Sequence, residues 1–158
     1  MNILEFARAL EIRAEAAYRD CAAKTDQPAL QAVFNLLAKG ERHHQQVIKE
    51  LEGSHPIQVP VASILGESRT LLQKLAPDKA ALRAAGSQLD VYREALKQEE
   101  AAETFYREKS AEATEPRLKE VLASLAAQEH DHFLVLEWLV ELMAHPETNL
   151  ENAEFNRR

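Results

Sequence analysis

Residues 11–51 and 99–139 are two copies of one helical hairpin, 88 residues apart. Fifteen of the 41 aligned positions are identical, among them Pro28 with Pro116, Leu37 with Leu125 and Val47 with Val135. Chance alone would give roughly three at ordinary residue usage. A repeat kept only for packing would keep apolar residues and let polar ones drift. This one keeps polar residues too: Glu11 recurs as Glu99, Tyr18 as Tyr106, Glu41 as Glu129 and His44 as His132.

The rest of the chain reads as helix. Gly is scarce, and Ala, Leu, Glu, Lys, Gln and Arg dominate, the strong helix formers. The one β-like stretch, Ile57 to Ile64, is interrupted by Pro60. Asn2 can cap a first helix reaching about Lys24, with Ile3, Phe6, Leu10, Ala14, Ala17 and Cys21 on one apolar stripe. Thr25 to Gln27 form a tip, and Pro28 opens a second helix to about Glu52. Short helices are expected near Ala62–Leu75 and Asp78–Ala85. A third long helix then starts near Ser87 or Asp90 and runs to about Ala113. A fourth opens at Pro116 and ends near Met143, before His145 and Pro146. The spacing predicts an all-α four-helix bundle over 1–145, with hairpins 2–52 and 87–143, a crossover 53–86 and a polar tail 146–158. So long a connection is what a bundle needs when its second hairpin must cross over to run the other way.

Composition bounds function. A net charge of −7 without a basic run argues against nucleic acid. No apolar run approaches a membrane span, and the first ten residues do not read as a signal peptide, so a cytoplasmic location is expected. The single cysteine, Cys21, cannot form an internal disulfide and suits a reducing compartment.

Residues three apart on a helix face one way, so Glu41 with His44, and Glu129 with His132, each aim a carboxylate and an imidazole at one point. Glu11 and Tyr18, two turns apart, share a face, as do Glu99 and Tyr106. Pseudo-twofold packing would bring four carboxylates and two imidazoles together. Such a group is too costly to bury ionised without counter-ions. Two divalent cations would balance four carboxylates and two neutral imidazoles. Mixed oxygen and nitrogen ligation suits iron or manganese, and zinc would also bind.

The doubled pattern of Glu-x6-Tyr and Glu-x-x-His around a long crossover resembles the ferritin-like di-iron carboxylate proteins, and most closely the rubrerythrin family. The resemblance implies a ferritin-like bundle with two iron ions held by Glu11, Glu41, His44, Glu99, Glu129 and His132. It makes Glu41 and Glu129 the bridging pair and gives the four glutamates the catalytic role. Tyr18 and Tyr106 would orient ligand carboxylates beside the cofactor. It further implies an oxidoreductase that reduces peroxide or dioxygen, working as a homodimer in which hairpins can be exchanged.

This chain departs from the better-known rubrerythrins in two ways. One cysteine cannot build their rubredoxin-like Cys-x-x-Cys iron site, so electrons must come from an external donor protein or the metal substrate itself. Ala102 stands where they carry an extra glutamate, and Glu103 is the nearest substitute. Two other readings are open: ferritin-like iron oxidation and storage, and a non-catalytic bundle that its metals hold together.

The remaining polar residues have plainer readings. Glu15 with Arg19, and Glu103 with Arg107, are spaced as surface ion pairs. His43 and His130 read as rim residues, Asp131 as solvated, Cys21 as a small core residue, and Trp138 as core or dimer interface.

Overall fold

The computed structural model describes residues 2–53 and 63–147. The Ile57–Ile64 stretch up to residue 62, His55 and the tail beyond Glu147, with Phe155, lie outside the described residues. Six α-helices follow in order: α1 (Ile3–Ala23), α2 (Pro28–Glu52), α3 (Leu65–Leu75), α4 (Lys79–Ala85), α5 (Leu89–Glu112) and α6 (Pro116–Ala144). A 3₁₀ turn, Gly86–Gln88, joins α4 to α5. No strand occurs among the described residues, and no helix there is long and apolar enough to cross a membrane.

The helix starts follow local chemistry. Asn2 caps α1, its side-chain oxygen accepting from Glu5 N–H at 2.9 Å. Pro28 and Pro116 open α2 and α6, where the missing N–H costs nothing. Glu115 adds a cap, accepting from Arg117 N–H at 2.9 Å and Leu118 N–H at 2.8 Å. Asp78 caps α4 in the same manner. The third helix begins at Leu65 rather than Ala62, because Ser63 Oγ accepts from Leu65 N–H at 3.1 Å and so marks the start.

α1 packs along α2, and α5 along α6, as two hairpins; α3 bridges α2 and α6. The core has two apolar clusters. One joins the end of α1, the start of α2, the crossover helices and the second half of α6, around Phe34, Tyr92 and Trp138. The other joins the opposite ends of the four long helices, around Ile48, Tyr106, Leu122 and Leu125. Each long helix runs from one cluster to the other, and its polar repeat residues fall between them. The crossover is also tied to α6 by Ser63 Oγ, which donates to Asp131 Oδ2 at 2.8 Å. Asp131, expected to be solvated, is partly exposed and also accepts this tether. Trp138 and Cys21 are buried in the first cluster, and burial pushes the Cys21 thiol up to about 11.

Candidate metal centre

Between the two clusters the four long helices each turn one face inward, and all six candidate ligands meet there. Glu11, Glu41, His44, Glu99, Glu129 and His132 are each no more than 3% exposed. They form two overlapping groups. Glu11, Glu41, His44 and Glu129 offer donor atoms within 4.8 Å of one another; so do Glu41, Glu99, Glu129 and His132. Glu41 and Glu129 belong to both groups, and one chain supplies every donor.

Both imidazoles turn Nδ1 into the cluster. His44 Nδ1 lies 2.8 Å from Glu129 Oε1 and 3.3 Å from Glu11 Oε2. His132 Nδ1 lies 2.6 Å from Glu41 Oε1 and 3.5 Å from Glu99 Oε1. The two rings lie nearly parallel, with centroids 5.4 Å apart. The tyrosines act across the repeat. Tyr18 OH donates to Glu99, and Tyr106 OH donates to Glu11 Oε1 at 2.6 Å. Each hairpin thus orients the terminal carboxylate of the other.

The outer sides of the two imidazoles differ. His44 Nε2–H donates to Gln128 Oε1 at 2.8 Å, which keeps a proton on Nε2 and would leave Nδ1 to ligate once its own proton is lost. The repeat places Gly40 at the position of Gln128. A Cβ on Gly40 would stand 2.8 Å from His132 Nε2, so the glycine leaves space for the ring. Single-chain spacing could not reveal the Gln128 contact, because its partner lies 84 residues away.

Burial is the largest influence on every carboxylate here. For Glu41, burial and the neighbouring Glu11 and Glu99 raise the carboxyl well above its ordinary range. For Glu129, burial and Glu11, Glu41 and Glu99 do the same. Burial also pushes Glu11 up, but the charge of His44 and hydrogen bonds from Glu41, His44 and Glu129 outweigh it and bring Glu11 below the usual range. Glu99 is likewise pushed up by burial, yet its hydrogen bond with Glu129 and the charge of His132 bring it down to about 2. Burial lowers both imidazoles, but the carboxylates win. Glu11 and Glu129 raise His44, and Glu99 and Glu129 raise His132.

The directions compensate one another: Glu11 and Glu99 are held toward the ionised form, Glu41 and Glu129 toward the protonated form, and both imidazoles toward the charged form. Two divalent cations balance four ionised carboxylates with two neutral imidazoles, so the sum is zero. Glu99 Oε2 and Glu129 Oε2 are buried and meet no N–H or O–H donor. A proton held between carboxyls, a bound water or a cation would satisfy them. The donor types, their mutual distances and the charge balance all fit a pair of carboxylate- and imidazole-binding metal ions.

Glu15 and Glu103 take no part in this cluster. Their side chains are 12% and 17% exposed, so they are more covered than the surface ion pairs expected from spacing. Arg19 Nε donates to Glu15 Oε2 at 2.9 Å, and Gln45 donates to Glu15 Oε1 at 2.9 Å. Arg107 Nε donates to Glu103 Oε2, and His130 Nδ1 lies against Glu103 Oε1, each at 2.8 Å. Both oxygens of Glu103 are thus engaged, by Arg107 and His130.

A family model described as rubrerythrin matches residues 2–133. No curated protein and no solved structure matches the chain.

Proposed function

The chain belongs to the rubrerythrin family, and on that premise we propose that it is a di-iron redox protein that reduces peroxide, or dioxygen, with electrons from a separate donor. The observation that carries this reading is the buried six-donor cluster, which two divalent ions bring to zero charge within one chain. An iron pair, when bound, supplies two electrons at one place.

The residues divide the remaining work. Glu41 and Glu129, common to both donor groups, would hold the two positions together. Glu11 with His44 would complete one position, and Glu99 with His132 the other. The hydroxyls of Tyr18 and Tyr106 fix the terminal carboxylates, so little reorganisation is needed when charge changes at the centre. The two apolar clusters keep bulk water away from both ends of the centre. One cysteine in these 158 residues is too few for the four thiolates of a rubredoxin-like iron site, so the electrons would come from a separate donor.

The test is anaerobic loading with ferrous iron, followed by one equivalent of hydrogen peroxide. Fast oxidation of the iron, and recovery of the ferrous form with an added reductant, is the expected result. A ferrous protein inert to peroxide sinks the reading. So does a large hollow assembly that accumulates iron far beyond one pair per chain, because that behaviour belongs to storage.

A further inference from the structure

On one side of the bundle α1 and α5 do not close over the centre. A cleft of about 440 Å³ lies between them and ends against Glu11, Glu41, Glu99 and Glu129. Its walls are mostly carbon, with Arg13 and Gln98 the polar side chains besides Tyr18 and the glutamates. Ala14 and Ala17 line it from α1, and Ala95, Ala101 and Ala102 from α5. Phe6 and Phe105, with ring centroids 5.2 Å apart, also form part of its lining. Ala14 and Ala102 are matched residues of the repeat, each three positions after a candidate ligand. Small side chains on both helices therefore open the same route from both sides of the pseudo-twofold axis.

The size and chemistry of this space do not suit hydrogen peroxide alone. Peroxide needs about the room of two water molecules, on the order of 60 Å³. The cleft lies instead in the range of small-molecule sites, about 300–1,000 Å³. Apart from Arg13 and Gln98 its walls offer peroxide few hydrogen-bonding groups, and the Tyr18 hydroxyl is already committed to Glu99. A lining so largely apolar suits an occupant with a carbon body and a polar end toward the carboxylates. A helix of another protein laid over α1 and α5 would cover the mouth without reaching the four glutamates that also line the cleft.

We propose that this cleft binds an organic hydroperoxide with an apolar body, its peroxide end at the four glutamates and its carbon body between Ala14, Ala102 and the two phenylalanines. The proposal rests on the redox reading of the same centre. In the reaction the O–O bond of the hydroperoxide breaks. Its oxygens leave as an alcohol and a water, with two protons taken from solvent. The two electrons are drawn one from each of two ferrous ions and are restored by the external one-electron donor.

Binding and turnover can be read separately. The probe for binding is 2-phenyl-2-propanol, the unreactive alcohol of cumene hydroperoxide, titrated calorimetrically into the zinc-loaded protein. Saturable binding is expected, weakened roughly tenfold or more in Ala102→Phe, whose ring would fill the cleft. Ala17→Phe, at an exposed wall, supplies the same comparison should Ala102→Phe fail to fold. For turnover, the ferrous protein is oxidised anaerobically by cumene hydroperoxide and, separately, by hydrogen peroxide. The ratio of the two rates is expected to fall by a similar factor in the filled variants.

Absence of saturable binding, or binding unchanged in both variants, overturns the proposal while leaving oxidation by hydrogen peroxide intact. Binding with no oxidation by either peroxide overturns the redox reading instead. If Ala17→Phe abolishes binding only by converting a dimer to monomers, the face belongs to a second copy and the proposal falls.

Discussion

Gln128 Oε1 accepts a 2.8 Å hydrogen bond from His44 Nε2–H, and the residue that the repeat sets at the matching place beside His132 is Gly40. The two imidazoles are thus held by different means, one by a hydrogen bond and the other by space. A glycine inside a helix costs about 0.5–1 kcal/mol relative to alanine. Gly40 does not have a positive φ, so its backbone needs no special freedom. The reason for glycine here is the ring that a Cβ would strike.

The two metal positions should therefore respond to different substitutions. Gln128→Leu should weaken the position of Glu11 and His44 by about ten- to a hundredfold, the usual effect of losing a partner to a ligand imidazole. Gly40→Ala should displace His132 and weaken the other position. Cobalt titration followed by visible absorption resolves the two binding steps. Two unchanged steps in both variants would remove any role for this pair.

Loss of a shared carboxylate should cost more metal than loss of a terminal one. Glu41→Ala or Glu129→Ala should take the zinc content from about two ions per chain to well under one, because both donor groups lose a member. Glu11→Ala or Glu99→Ala should leave about one ion. Metal analysis after gel filtration decides this, and equal losses in all four variants would contradict the bridging assignment.

The crossed tyrosines should contribute to stability as well as to orientation. Tyr18→Phe leaves Glu99, and Tyr106→Phe leaves Glu11, with one buried oxygen short of a donor. Each should lower unfolding free energy by about 1–3 kcal/mol, the cost of an unsatisfied buried acceptor. Urea unfolding of the zinc-loaded protein measures it. Values within error of the parent would mean that the hydroxyls hold nothing in place.

Metal binding should be strongly pH-dependent, with a defined sign. Glu41, Glu129, His44 and His132 all hold their protons to higher pH than ordinary groups of their type. Cations must displace those protons, so affinity falls as pH falls. Each displaced proton makes it fall about tenfold per pH unit. Loading two ions should release protons, more than about one per ion. An indicator dye in weakly buffered solution counts them. Release of fewer than about one proton per ion would show that the cluster is not held neutral in this way.

The hairpins, their tips and the six inward-facing residues are legible in the sequence because each depends on local chemistry. Pro28, Pro116 and Asn2 act within one turn of the helices they start, and Glu-x-x-His needs only helical periodicity. The duplication then marks which polar residues matter. Other features were not legible for the opposite reason. Asp131 meets Ser63 across 68 positions, and the outer partners of Glu15 and Glu103 include residues from neighbouring helices. None of these pairs has a fixed spacing to read.

The sequence by itself determined that two like hairpins would form and that each would turn a Glu, a Tyr and a Glu-x-x-His to one face, because helix geometry converts spacing directly into direction. Only the tertiary structure decided which carboxylates are shared, that each tyrosine serves the opposite hairpin, that Gln128 supports one imidazole while Gly40 makes room for the other, and that α1 and α5 leave a cleft. Those are relations between helices, set by how the apolar clusters at either end bring them together, and no periodicity within a single helix encodes them.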